Sequence, residues 1–238
     1  MINFYKNYAP IVLLIICFHT LSFGQDSYDQ EIYGRAQLWE KEIAAFVDSD
    51  KREFPKKKKL LFVGSSTIRG WHSLEKDFPD FLTINRGFGG SHLEDINFYA
   101  PQIVFPYKPK LIVIYAGEND VVAGKSIERV FDDFKKFVNL THKNLPKTRM
   151  IVVSLKPSPA RWEFAPKFKE LNKLIEAETK KNKSLLFVDL WSAMLDLNNQ
   201  PKKEIYQIDR LHINAEGYGI WRETLSPHIR RGVKGNFR

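Results

Sequence analysis

Five short apolar runs punctuate the chain, at residues 60–63, 81–84, 111–115, 150–153 and 185–188. Each is rich in Val, Ile, Leu or Phe without alternating polar positions, the pattern of strands covered on both faces. Between them the apolar spacing widens to a helical period. Residues 92–104 form one such segment. Residues 126–143 form another, with Ile127, Val130, Phe131, Phe134, Phe137 and Val138 on one face, and 164–182 carry Phe168, Leu171, Leu174 and Ile175. Ahead of the first strand, Ile32, Ala36, Trp39, Ile43 and Phe46 predict a helix over 26–48. Asn214 reads as the N-cap of a last helix through Tyr218, Trp221 and Leu225, with Pro227 expected to bend or break it. Strands alternating with helices predict a three-layer α/β/α sandwich with a five-stranded parallel sheet, flavodoxin-like in layout.

Composition changes this picture mainly at the N-terminus. Lys6, the apolar run 11–17 and the small residues Ser22 and Gly24 follow the layout of a secretory signal peptide over 1–24. The run is short for a membrane span, so the expectation is an exported protein, periplasmic or secreted, with no stable span after signal removal. A retained N-terminal anchor is the alternative. A lipid-modified Cys17 fits less well, because Ile16 stands where a small residue is expected. Residues 25–238 then read as a single domain. Cys17 is the only cysteine, so a mature chain has no disulfide, no thiol nucleophile and no thiolate metal site. The net charge of +9 is spread along the chain apart from the lysines at 56–59. A run of that kind before a strand is a solvated gatekeeper. No aromatic-basic interleaving suggests a nucleic-acid partner.

The polar clusters fall where the strands end, the edge at which open parallel sheets do chemistry. Gly64-Ser65-Ser66 follows the first strand, Asn85 to Ser91 the second, Gly117-Glu118-Asn119-Asp120 the third, and Asp209 with His212 the fifth. Asp209 and His212 are three apart, a spacing that brings side chains together in a helical turn. A histidine held by a carboxylate is the base half of a nucleophilic triad and needs a hydroxyl delivered from elsewhere. Ser66, leaving a strand and entering a turn, is the candidate. Glycines 87, 89 and 90 allow close backbone approach to a substrate, and the Asn119 amide is suited to donate to a developing oxyanion. Taken singly, each has a plainer reading: Ser66 as an N-cap, the glycines as a tight turn, Asn119 and Asp120 as a strand end, His212 as an interface histidine.

Together, Gly64-Ser65-Ser66-Thr67, Gly87-Phe88-Gly89-Gly90, Gly117-Glu118-Asn119-Asp120 and Asp209-Arg210-Leu211-His212 resemble the four blocks of the SGNH (GDSL-type) hydrolases, in that family's order. The short layout is most similar to the branch containing the catalytic subunits of brain platelet-activating-factor acetylhydrolase. The resemblance implies Ser66 as nucleophile, His212 as base and Asp209 as its orienting acid. It implies an oxyanion hole from the backbone N–H groups of Ser66 and Gly90 and the Asn119 side chain. The family usually carries Asp immediately before the nucleophile, where this chain has Ser65; Ser66 is chosen over Ser65 by register. The implied activity is a serine esterase acting on small O-acyl esters, such as acetyl groups on a glycan, with no metal or cofactor. The alternatives are lysophospholipid hydrolysis by the same triad, or a non-catalytic carbohydrate-binding protein on the same scaffold.

Competing motifs do not hold. Gly124-Lys125-Ser126 ends like a phosphate loop, but Asn119 stands where its first glycine is required. Gly87-x-Gly89-x-x-His92 lacks the third glycine of a dinucleotide fingerprint. His92, Asp209 and His212 have no metal-ligand spacing. Arg161-Trp162, after the fourth strand, lies near the same edge and is a candidate pocket lining, with core packing of Trp162 the alternative.

Overall fold

The computed structural model describes residues 35–55, 60–235 and 237. The expected signal segment, the first turns of the expected N-terminal helix and the lysines at 56–59 lie outside these. Residues Trp39–Arg238 form one compact unit.

Five strands, β1 (Leu60–Gly64), β2 (Thr83–Gly87), β3 (Leu111–Tyr115), β4 (Arg149–Val153) and β5 (Leu185–Val188), make one sheet in the order β2-β1-β3-β4-β5. All four pairings are parallel. The unbroken apolar runs explain this: β1 and β3 are buried at every position, so both faces must be covered by helices. The helices are α1 (Glu40–Arg52), α2 (Ser66–Arg69), α3 (Leu74–Asp77), α4 (Leu93–Ile103), α5 (Glu118–Val122), α6 (Ile127–Asn144), α7 (Ala165–Lys181) and α8 (Ala215–Lys234). Helices α4, α6 and α7 pack side by side in one layer, and α8 packs on β3, β4 and β5. There Trp221 meets Tyr115 edge-on at 4.9 Å and Trp71 at 5.9 Å.

Helix starts follow local chemistry. Ser126 caps α6 by accepting from Arg129 N, and Asn214 Oδ1 caps α8 by accepting from Glu216 N and Gly217 N. Helix α8 continues through Pro227, so of the expected bend or break the break does not occur. One lost hydrogen bond and ring strain cost about 3 kcal/mol, but Trp221, Leu225 and Ile229 are wholly buried on its inner face. Each such side chain contributes roughly 1.5–3 kcal/mol, so packing wins.

Strand β2 lies two residues later than its apolar run predicts, and takes in Asn85 and Arg86. Both polar side chains are satisfied in place. Asn85 Nδ2 donates to Ile68 O at 2.7 Å, and buried Arg86 donates to Asp50 and Tyr107, each at 2.6 Å. The expected helix before β1 is interrupted by a 3-10 turn at Gln37–Trp39 before α1 begins. Sequence periodicity also passed over the single-turn helices α2, α3 and α5, which are too short to show a period.

Candidate active site

The order β2-β1-β3 places the chain's reversal of direction between β1 and β3, so their C-terminal ends open a crevice at the switch point. Gly64 ends β1 at φ +152°, and a Cβ there would stand 2.0 Å from Tyr115 O. Only glycine lets the two strands close at this level. Ser65 N donates to Tyr115 O at 3.2 Å and its carbonyl accepts from Ile68 N and Arg69 N. Ser65 is buried, and the next residue, Ser66, opens α2 half-exposed.

The loop after β2 folds back onto β1: Phe88 N donates to Gly64 O at 3.0 Å, and Trp39 Nε1 donates to Gly89 O at 2.6 Å. Gly90 adopts φ +74° with open space where a Cβ would go. After β3, Asn119 Nδ2 donates to Ser91 O at 3.1 Å. That bond carries the Asn119 amide onto the loop that holds Gly90. Asp120, fully buried, accepts from Leu93 N and from Lys125 Nζ and so ties this turn to the start of α4.

Asp209 and His212 meet, but not through a helical turn as the spacing suggested. Arg210 is left-handed at φ 58°, which breaks any helix. The segment is instead organised by the Asp209 side chain, whose Oδ1 accepts from Leu211 N and His212 N, each at 2.9 Å. Oδ2 then lies 2.5 Å from His212 Nδ1. The loop is closed at its base by Gln207 N donating to His212 O and by the Tyr206–Ile213 bridge. On the far side of the ring, His212 Nε2 stands 2.9 Å from Ser66 Oγ. Burial alone would push the Asp209 carboxyl up. The His212 ring and the two backbone N–H groups outweigh it and hold the pKa at about 2. The carboxylate is 43% exposed and the imidazole 35%, so the pair is open to solvent.

A buried ionic cluster stands behind Asn119. Glu118 accepts from Tyr115 OH at 2.5 Å and from Lys156 Nζ at 3.1 Å, and its Oε1 pairs with the Arg161 guanidinium, Nη1 lying 3.1 Å away. Arg161 Nη1 also donates to Asn119 Oδ1 at 3.0 Å. Burial raises the Glu118 carboxyl, but the two cations override it and hold it below its ordinary range, while burial pulls Lys156 down against the opposing pull of Glu118. Further bonds lash the β4 loop to the Asp209 loop: Ala160 N donates to Arg210 O at 3.1 Å, and Tyr206 OH donates to Pro157 O. Arg161 thus lies at the site as its position predicted, held in a polar cluster. Trp162 stacks on Trp191 at 6.0 Å. Sequence reasoning did not find Lys156: a lone lysine after a strand carries no periodic or motif signal. His92, weighed as a metal ligand, is buried with Nδ1 3.8 Å from both Glu94 and Asp120. Among the described residues no three His, Cys, Asp or Glu side chains gather as a metal site.

The model of the GDSL-like lipase/acylhydrolase family matches residues 62–220. Among solved structures, a GDSL-like lipase of Bacteroides thetaiotaomicron is 27% identical, with a TM-score of 0.66 over 82% of this chain and 97% of its own. An acylhydrolase candidate of Bacteroides fragilis is 24% identical, with a TM-score of 0.70 over 79% of this chain and 95% of its own. A catalytic mutant of an acetylxylan esterase of Geobacillus stearothermophilus is 17% identical, with a TM-score of 0.59 over 72% and 94%. No curated protein matches.

Proposed function

The chain belongs to the GDSL-like lipase/acylhydrolase family and is a carboxylic ester hydrolase, and on that premise we propose that Ser66, His212 and Asp209 form its catalytic triad. The observation that carries this reading is the unbroken line from Asp209 Oδ2 through the His212 ring to Ser66 Oγ, with contacts of 2.5 and 2.9 Å. Ser66 Oγ attacks the ester carbonyl carbon while His212 Nε2 takes its proton. The carbonyl oxygen becomes an oxyanion facing the Ser66 and Gly90 N–H groups and the Asn119 amide. On collapse, His212 returns the proton to the departing alcohol and an acyl-serine remains. Water, deprotonated by His212, then attacks that ester, releases the carboxylic acid and restores Ser66. Asp209 holds Nδ1–H throughout and offsets the imidazolium charge.

The substrates we propose are small O-acyl esters, acetyl groups on a glycan foremost. A half-exposed imidazole and carboxylate leave room for a bulky alcohol, and the acetylxylan esterase shares the fold. With p-nitrophenyl esters the C2 substrate turns over faster than C12; the reverse order would sink the preference. A fluorophosphonate labels the wild type and Ser65→Ala but not Ser66→Ala. Equal labelling of both variants would defeat the nucleophile assignment, and no labelling of any form would favour a non-catalytic carbohydrate binder. One feature favours lysophospholipids as a second reading: Ile208, beside Asp209, is wholly exposed and apolar. Hydrolysis of micellar lysolipid, lost in Ile208→Ser, would support it. The signal-like segment 1–24 supports export, which is read by fractionating cells that express the full chain. Among the described residues no helix is long and apolar enough to cross a membrane.

A further inference from the structure

We infer that Arg161 is a positioning residue of the oxyanion hole: it fixes the Asn119 carboxamide in the one orientation that aims its NH2 group toward the Gly90–Ser91 loop. The inference rests on the catalytic reading of Asn119 given above and extends it to a residue outside the four motif blocks.

A carboxamide can sit in two orientations related by a flip, and its neighbours decide between them. Asn119 has two neighbours of opposite and unchangeable character. The Ser91 carbonyl, 3.1 Å from Nδ2, only accepts. The Arg161 guanidinium, 3.0 Å from Oδ1, only donates. Flipping the amide would set oxygen against oxygen on one side and NH2 against a cation on the other, so both contacts become repulsive together. With one Nδ2 hydrogen engaged by Ser91 O, the second remains for the oxyanion.

Arg161 can do this because it is itself held. The same Nη1 forms an ion pair with Glu118 Oε1 at 3.1 Å, and Glu118 is fixed from behind by Tyr115 and Lys156. The side chain is 18% exposed and Glu118 only 4%, so these charges act with little solvent screening. The cluster sets Arg161 and Lys156 around one carboxylate on the Oδ1 side of the amide. A cation on Oδ1 also polarises the amide and strengthens its N–H groups as donors. Glu118 alone would call for a single buried cation, which Lys156 supplies. A second cation that is paired with Glu118 and donates to Asn119 is what the geometry adds.

The test is a double-mutant cycle on p-nitrophenyl acetate hydrolysis, with kcat and KM measured separately and folding followed by thermal melting. Asn119→Ala is expected to lower kcat about 10²–10³-fold. Arg161→Met is expected to lower kcat roughly 10–100-fold with KM changed by less than about 3-fold, the signature of an interaction made in the transition state. The double variant should be no slower than Asn119→Ala alone, because Arg161 acts through the amide. Arg161→Lys, which keeps charge and donor but not the planar fork, should fall between wild type and Arg161→Met. If Arg161→Met does not fold, Arg161→Lys takes its place in the same cycle. A full multiplication of the two losses, or a rise in KM at unchanged kcat, would overturn the role of Arg161 while leaving the oxyanion hole standing. Full kcat in Asn119→Ala would remove both.

Discussion

His212 Nε2 stands 2.9 Å from Ser66 Oγ although 146 positions of chain separate them. Every strand of the sheet after β1 lies between the two, so the contact exists only in the assembled fold. Ser66→Ala and His212→Ala should each lower kcat about 10⁴–10⁶-fold, and the pair together should be no worse than either, since neither group works without the other. Single-turnover and steady-state rates on p-nitrophenyl acetate check this, and additive losses would mean that the two act separately.

Asp209 should matter less than the buried acid of better-shielded triads. It is 43% exposed, so water can replace part of what it gives the imidazole. Asp209→Asn is expected to cost roughly 10²–10³ in kcat, below the ~10⁴ of a buried counterpart. Because His212 and two backbone N–H groups hold the carboxyl at about 2, Asp209 is ionised across the working range and its own titration should contribute no acid limb above about pH 4. A pH–rate profile of the wild type that lost activity with the midpoint of an ordinary aspartate would contradict this.

Gly64 and Gly90 should respond differently to the same substitution. At Gly64 a methyl group would be driven to 2.0 Å from Tyr115 O, backbone against backbone in the sheet. Gly64→Ala should therefore lose at least about 3 kcal/mol or fail to fold. Gly90→Ala meets no atom within 4 Å and faces only its φ of +74°, a cost of about 1–2 kcal/mol. Urea unfolding of the two variants gives the comparison.

The salt-bridged Glu94 gives the fold an acid sensitivity with a definite window. Burial raises its carboxyl, yet His92, Lys125 and Arg129 bring it from 4.5 to about 2. Lys125 Nζ lies 2.8 Å away and Arg129 Nη2 3.3 Å. A depressed carboxyl stabilises the folded state fully above its unfolded pKa and loses that contribution as pH falls through the folded one. Glu94→Gln should thus melt lower than wild type at pH 7, and the gap should close between about pH 4.5 and pH 2. A gap that stayed constant to pH 2 would show that the charge contributes nothing.

The layer architecture is legible because buried parallel strands write themselves as unbroken apolar runs, and the loops that follow them carry the recognisable blocks of the family. Ser66, Asp209, His212 and Asn119 were named from those blocks. Other features were invisible for physical reasons. The Asp209–His212 pair is made by a side chain bonding its own backbone around a left-handed Arg210, and an i, i+3 spacing cannot distinguish that from a helix. Strand β2 keeps Asn85 and Arg86 because partners distant in sequence satisfy them, and a periodicity window does not see such partners. Lys156 looked like any surface lysine; only the fold places it 3.1 Å from a buried glutamate.

The turn built by Asp209 has a mechanical corollary. Oδ1 grips the backbone on which the imidazole is carried and Oδ2 grips the ring, so Asp209 and His212 are held to each other at two points. A displacement of the 207–213 segment relative to the sheet would leave the Asp209–His212 bond intact and change the distance to the Ser66 hydroxyl. In the proposed triad, the contact that depends on the seating of this segment is therefore the one between imidazole and serine, not the one between imidazole and carboxylate.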